Sequence, residues 1–459
     1  MKPRMKKLTL KEIAEAVNGR VLKGDGDFYV SGVSTDSRTA SSKDIFVALI
    51  GEIHDANKFV PQAAKNGCQA GLISDPEAAC HIQNAIIVEN TTLALQRLAK
   101  YYLGLFDLKK IAITGSTGKT TTKDMIYAVM SVKYKTAKTQ GNFNNNIGLP
   151  LTILSIEEGT EAAVFEMGMD KPGEIDELVD IVRPDIGIIT NVGLSHVERL
   201  GSRENIFKAK MEIVNYFNSG NVLIICDDGE TLTKNRVSGD YKLITIGANG
   251  KSSFIVYNVK DNGENGLSFD LEHKQKRQRI ELPVPGRHNA LNAALAVACG
   301  MELGITMEEA ANGLSKIVLT EKRLSTINKD GIKVIDDSYN ASPDSMRAAI
   351  DVLVSRKGLR KVAILGDMFE LGSSSPEYHM EIGEYAAKAG VDLVVTIGDL
   401  SYNTMLGAKK ILSPEQTIHF KNREEFIDKM RDIIRVGDVV LVKGSRAMKM
   451  DEITKEILK

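Results

Sequence analysis

Apolar residues fall in short dense runs separated by stretches with helical spacing, and that alternation predicts the fold. Among the first hundred residues, Leu10 to Val17 reads as a short amphipathic helix, Asp44 to Leu49 as a buried strand and Phe59 to Asn66 as helical. Ala70 to Ser74 reads as another short strand, and Thr91 to Leu105 as a helix. Thr35 to Arg38 is a polar turn. A second stretch opens on the apolar strand Lys110 to Thr114. It continues through strand candidates Ala162 to Phe165, Ile186 to Thr190, Val222 to Cys226 and Leu243 to Ile246, mostly with helical patterns between them. Strands alternating with helices predict a mostly parallel sheet covered on both faces. Ser253 to Leu282 instead alternates by two around Asn262-Gly263 and Asn265-Gly266, so antiparallel strands are expected there. A third stretch begins near Thr320, with strand candidates Ile332 to Ile335, Val362 to Leu365, Leu393 to Ile397 and Val439 to Val442.

Length agrees with three units: 459 residues at about 150 per domain gives about three. The expected boundaries are 1–108, 109–319 and 320–459, with no repeat or low-complexity linker to sharpen them. Lys and Arg total 59 against 60 Asp and Glu, a formal net charge of -1. Bulk nucleic-acid binding and membrane adsorption need a basic excess, so the balance argues against both while leaving room for a local basic site for an anionic ligand. The basic run His273 to Arg279 reads as a solvated strand face. The 4 Cys form no C-x-x-C pair, which argues against a zinc or dithiol motif and fits a reducing compartment. Charges interrupt every apolar run near the start, and no stretch approaches the ~20 apolar residues of a membrane span. A cytoplasmic location is expected.

Thr114-Gly115-Ser116-Thr117-Gly118-Lys119-Thr120-Thr121 lies between an apolar strand and a helix expected over Thr122 to Met130. Glycines let backbone N–H groups approach phosphate oxygens, and the helix N-terminus adds partial positive charge. Lys119 can reach the β- and γ-phosphates, and the Thr120 hydroxyl can bind Mg²⁺. Ile113 stands where the general phosphate-loop pattern has its first Gly. Glu166 ends one strand and His196 follows the next, so both are expected at the sheet edge that carries the loop. A structural, hydrogen-bonding histidine is the alternative reading of His196. Lys208 and Lys210 share the helix expected over Asn205 to Phe217, where either could be a surface charge. The Asn-rich run Gly141 to Pro150 reads as a capped turn or as a substrate-positioning loop through Asn142, Asn144 and Asn145.

Together these motifs resemble the Mur ligase family, ATP-dependent amide-bond formers of peptidoglycan precursor synthesis. The resemblance runs from Thr114–Thr120 through Gly141–Pro150, Glu166-Met167-Gly168, His196, Lys208 to Ile213 and Pro285 to Ala294. The loop form Thr-Gly-x-[TN]-Gly-Lys-[ST] is that family's own variant. The implied fold is α/β in three domains: a small N-terminal α/β domain, a central P-loop mononucleotide-binding parallel sheet, and a C-terminal Rossmann-like α/β domain. The third-block runs Asp336 to Met346 and Leu365 to Gly372, followed by His379, are similar to the member that joins D-alanyl-D-alanine to a UDP-N-acetylmuramoyl-tripeptide. No Asp-Asn-Pro-Arg motif marks the neighbouring ligase that adds the third residue, which is the alternative. Folylpolyglutamate synthase is more distant, and an inactive nucleotide-gated scaffold is the non-enzyme reading.

The resemblance implies ATP, two Mg²⁺ ions and a CO₂-derived carbamate on Lys210. It implies catalytic roles for Lys119, Glu166, His196 and Lys210, and cation ligands in Thr120, Glu166, His196 and carbamylated Lys210. ATP would meet Gly115 to Thr121, Asn289 and Asn292 near adenine, Asp337 near ribose, and Arg323. Ser37 and Arg38 would meet the uridine diphosphate, and Tyr339, Asn340 and Ser342 the acceptor side. UDP-MurNAc-tripeptide and D-Ala-D-Ala are the implied partners, with a monomer expected. Asp55-Ala56-Asn57 departs from a frequent Asp-Gly-His of the family, so no catalytic role is carried there.

Overall fold

The computed structural model describes residues 5–248, 250–320 and 324–459. Three α/β sheets follow one another along the chain. The first has five strands in the order Arg20–Lys23, Asn84–Ile87, Ala70–Ile73, Asp44–Val47, Gly32–Ser34, parallel except for the first pair. The central sheet has nine strands, running from the edge strand Lys276–Leu282 through Leu267–His273, Phe254–Asp261, Lys242–Gly247, Val222–Cys226, Ile186–Ile189, Lys109–Thr114 and Ala162–Glu166 to Thr136–Lys138. The third has six strands, with Asp438–Lys443 and Arg360–Gly366 at its middle.

Alternation along the central strands is apolar on both faces, as a sheet covered by helices requires. Ile111 and Ile113 pack against the helices Lys119–Met130 and Asn289–Glu302. Ala112 faces the opposite layer, which holds the helices Thr91–Leu103 and Glu174–Val182 and continues into the first block through Leu10 and Ile45. Tyr102, fully buried, ties that layer together: its hydroxyl donates to Ile156 O at 2.6 Å and accepts from Lys6 N at 2.8 Å.

Most expected elements stand, with shifted ends. The helix after the phosphate loop starts at Lys119 rather than Thr122, because left-handed Gly118 hands the chain directly into it. The helix expected over Asn205 to Phe217 is Arg203–Met211, followed by a 3₁₀ turn at Glu212–Val214. Glu212 there accepts from Gly173 N and Asp176 N, serving the start of the helix Glu174–Val182. Strands Thr136–Lys138, Ser325–Lys329 and Thr417–Phe420 were not expected; all are short or lie at sheet edges. The antiparallel region has three strands. Its second turn, Lys274-Gln275, lies inside the basic run, and Arg277 and Arg279 pair with Glu272 and Asp270 of the same hairpin. That run is a solvated strand face, as expected.

Candidate active site

Strand register brings the expected groups to one edge. Lys109–Thr114 pairs in parallel with Ala162–Glu166, Glu166 opposite Ile113, and with Ile186–Ile189, Ile189 opposite Thr114. The phosphate loop, Glu166 and the segment Thr190 to His196 therefore leave the sheet together. Gly115 (φ 151°) cannot be replaced there, since a Cβ would sit 1.8 Å from Thr190 Oγ1. The neighbouring segment holds the loop in shape. Thr190 Oγ1 donates to Thr117 O at 2.6 Å, Asn191 bonds both Thr117 N and Thr117 Oγ1, and Gly193 N donates to Ser116 Oγ at 2.9 Å. Lys119 Nζ donates to Gly115 O at 2.7 Å, so its ammonium lies over the loop.

Glu166 is buried and takes two donors on one oxygen, Oε1: Thr120 Oγ1 at 3.2 Å and Asn144 Nδ2 at 2.9 Å. Its other oxygen, Oε2, is buried with no hydrogen-bond donor and lies 3.7 Å from Lys123 Nζ. Lys123 is fully buried, as is Asp124, whose carboxylate takes Lys138 Nζ at 2.6 Å and Thr320 N at 2.8 Å. A chain of charge thus links Glu166 to the start of the connection between the central and third blocks.

Of the two lysines in the helix Arg203–Met211, Lys208 is exposed and Lys210 is buried. No hydrogen bond or ion pair to Lys210 occurs among the described residues. Burial holds its amine well below the usual lysine range, and the Lys119 charge adds to that.

His196 is placed differently from the expectation of one ligand set with Glu166. It sits at φ 65° at the far end of its loop, with Nδ1 2.6 Å from Glu370 Oε2 and 3.4 Å from Asp170 Oδ1. Among the described residues Asp170, His196 and Glu370 form the one group of three such side chains whose ligand atoms converge within 4.8 Å, and Glu166 is outside it. The reason is the third block, which reaches over and engages the ring. The His196 pairing holds the Glu370 carboxyl below its usual range.

A cavity of about 990 Å³ lies between the central and third sheets. Ser116 to Thr121, Asn144, Asn145, Glu166, His196, Asn289 and Asn292 line it from one side, and Asp337, Tyr339, Asn340 and Ser342 from the other. Asn289 and Asn292 are buried and bonded to each other, with Asn292 close to Gly118. Asn145 Oδ1 accepts from Gly148 N, capping the helix Gly148–Ile153, so that residue is both a cap and a wall. Ser342 caps the helix Pro343–Ser355. Asn142 is exposed and outside the cavity wall. Ser37 and Arg38 are also outside it; Arg38 forks onto Asp36 with bonds of 2.9 and 2.7 Å. Arg323 lies outside the described residues. Asp55 accepts from Asn57, which is buried against Ser74, so that departure is a structural cap.

Sequence reading missed several wall residues. Lys443, buried, pairs with Asp337 and donates to Asn340 O at 2.8 Å. Arg446 lies 5.2 Å from the Tyr339 ring. The visible signal was Lys-Gly-Ser-Arg directly after a strand, the same punctuation that marked the phosphate loop. Asp344 lay inside the quoted run Asp336 to Met346 without a role assigned, and Asp170 had no signal, since each matters only through residues far away in sequence.

A phosphate loop at the carboxyl edge of a parallel sheet, facing a second α/β layer across one cavity, defines a P-loop nucleotide-binding protein. Residues 113–300 match the Mur ligase middle domain, and residues 322–446 the Mur ligase, glutamate ligase domain. The chain belongs to the Mur ligase family. It is 40% identical over 459 residues to the UDP-N-acetylmuramoyl-tripeptide--D-alanyl-D-alanine ligase of Bacillus subtilis (strain 168), covering 99% of each chain. A crystal structure of MurF from Acinetobacter baumannii superposes with TM-score 0.91 at 32% identity, covering 99% of each chain. MurF ligase from Thermotoga maritima in complex with ADP gives TM-score 0.81 at 28% identity, covering 93% of this chain and 96% of that one.

Proposed function

We propose that this chain is an ATP-dependent ligase that joins D-alanyl-D-alanine to UDP-N-acetylmuramoyl-tripeptide in peptidoglycan precursor synthesis. The observation that carries this is the end-to-end similarity to the B. subtilis ligase, which includes the third block where the acceptor side of the cavity lies. In this reading 1–108 holds the UDP-substrate, with Ser37 and Arg38 at the diphosphate. Residues 109–319 hold ATP, and 320–459 present the dipeptide and close over ATP. Four unpaired thiols and the absence, among the described residues, of a helix long and apolar enough to cross a membrane support a cytoplasmic location.

The chemistry follows from leaving groups. A carboxylate resists amines because oxide would have to leave. Transfer of the γ-phosphoryl group to the tripeptide's terminal carboxylate gives ADP and an acyl phosphate. The dipeptide amine attacks its carbonyl, and phosphate departs as the amide forms. Lys119 neutralises charge developing on the transferring group, and backbone N–H groups from Gly115 to Thr121 cradle the phosphates. Asn289 and Asn292 face adenine, and Asp337, fixed by Lys443, faces ribose. Asn144 both lines the cavity and holds Glu166. Tyr339, Asn340 and Ser342 border the acceptor side, where closure of the third block excludes water from the acyl phosphate.

The donor set suits divalent cations. Glu166 Oε2 is a buried carboxylate oxygen without a hydrogen-bond donor, 3.7 Å from Lys123 Nζ, while the Thr120 hydroxyl bonds the other oxygen of the same group. Thr120, Glu166, His196 and carbamylated Lys210 would hold two Mg²⁺ ions, which would supply screening between phosphate and carboxylate oxygens. Lys210 is suited to carbamylation because only the neutral amine adds CO₂, and burial favours that form. Release of ADP and phosphate should require both UDP-muramoyl-tripeptide and D-Ala-D-Ala. Release with a UDP-muramoyl-dipeptide and a free diamino acid instead would move the assignment to the neighbouring ligase.

A further inference from the structure

The segment that shapes the phosphate loop is gripped from the third block at two points. Asp344 Oδ2 lies 3.4 Å from Leu194 N, and a Cβ on Gly193 would come within 2.2 Å of the same oxygen. Two residues further on, His196 Nδ1 lies 2.6 Å from Glu370 Oε2. The two backbones also meet: Glu198 N donates to Glu370 O at 3.2 Å. Val197 packs against the third block's core. Both partners of the contact are held in a conformation that side chains disfavour, His196 at φ 65° and Glu370 at φ 63°. Left-handed non-glycine residues persist where surrounding structure over-determines them, and they mark functional positions. Glu370 itself is well anchored. Met368 N donates to buried His379, Phe369 N to Ser445 Oγ, and Asp367 takes Ser401 N.

We infer that Glu370 is a positioning residue for His196: docking of the third block holds the imidazole on its Nδ1 side, so that Nε2 is the nitrogen that would be available to a cation. The inference rests on the proposed cation role of His196 and adds the residue that makes that role conditional on closure. A carboxylate 2.6 Å from the far nitrogen steers the ring's orientation by charge, and outer partners of this kind orient a histidine ligand. Cation binding and closure are then linked, since each favours the same His196 arrangement. The same loop bonds Ser116 and Thr117, so the phosphate loop senses closure through Asn191 and Gly193. Asp170, held by Arg199 at 3.3 Å, borders the ring but comes from the central block and cannot report closure.

The test uses the full chain labelled with ¹⁵N-histidine, ADP, and Mn²⁺ as the spectroscopic cation. Electron spin echo modulation should show a ¹⁵N coupling that His196→Ala removes. Glu370→Gln, folded by circular dichroism, should lose the same coupling and weaken Mn²⁺ about 10-fold or more. Glu370→Asp, which keeps the charge, should weaken it to a lesser extent. X-ray scattering should show Mn²⁺–ADP compacting the wild type but not Glu370→Gln. Unchanged coupling and affinity in Glu370→Gln overturn the inference. Weakened affinity with the coupling retained also overturns it, because Glu370 is then a direct cation ligand. If the wild type shows no histidine coupling, the inference and the cation role of His196 both fall. D-Ala-D-Ala-dependent ADP release on the same sample then tells whether the ligase reading survives.

Discussion

Replacing Lys210 by Met should make the protein more stable and nearly inactive. Lys210 is 1% exposed, in the helix Arg203–Met211, and carries no ion pair among the described residues. Met keeps the length of the stem and removes the amine. A buried donor left without a partner costs about 1–3 kcal/mol of desolvation, which the apolar Met side chain removes. For a cooperative unit of 150–250 residues, each kcal/mol moves the midpoint by about 2–4 °C. The sign with pH follows from the lowered pKa. The unfolded chain binds the lysine proton more tightly than the folded one, so wild-type stability rises with pH toward the ordinary lysine range. The advantage of Lys210→Met should therefore shrink as pH rises, by at most about 1.4 kcal/mol per pH unit. Turnover should fall at least ~100-fold, because a cation ligand worth several kcal/mol is gone. Calorimetry in CO₂-depleted buffer at two pH values, beside an ADP-release assay, measures both. A variant that melts lower than wild type with no pH trend, or that keeps a tenth of its turnover, refutes the reasoning.

Lys119→Ala should leave circular dichroism unchanged and lower turnover by several powers of ten; near-normal turnover would remove the phosphate loop from the mechanism. Arg38→Ala should raise KM for the UDP substrate and leave KM for ATP nearly unchanged, since Arg38 lies outside the cavity at the phosphate loop. Equal shifts in both would count against a separate diphosphate site. His379 is buried with Nε2 accepting from Met368 N at 3.0 Å and Nδ1 donating to Ser375 O at 2.7 Å, an arrangement that needs the neutral ring. Burial lowers its pKa, so its contribution is present above the ordinary imidazole range and is lost as pH falls through the lowered pKa. His379→Gln should melt lower than wild type at pH 8 and show a flatter fall toward pH 5.5; parallel curves would mean that His379 does not titrate with folding.

The parts legible in the sequence were those written locally. Gly-Lys-Thr-Thr after Ile111-Ala112-Ile113 needs only its neighbours to declare a strand, a loop and a helix. Glu166 could be placed because strand register in a parallel sheet follows from the crossover pattern. Lys210 could not be separated from Lys208 by spacing alone; burial decides between them. The turn Lys274-Gln275 was hidden because two non-glycine residues take positive φ there, where turn chemistry leads one to look for Asn or Gly. The meeting of His196 with Glu370 was out of reach for a different reason. Each residue was visible in its own motif, but the contact joins two blocks of the chain, and no local pattern encodes a distance between separate sheets.

The central claim is acyl-phosphate formation on the tripeptide, and isotope transfer tests it most directly. With ¹⁸O in the terminal carboxylate of UDP-muramoyl-tripeptide, and ATP and D-Ala-D-Ala present, phosphate is isolated and its mass measured after a turnover. The account predicts one ¹⁸O in each released phosphate and none in ADP. Unlabelled phosphate, or AMP that carries the label together with pyrophosphate, would contradict it.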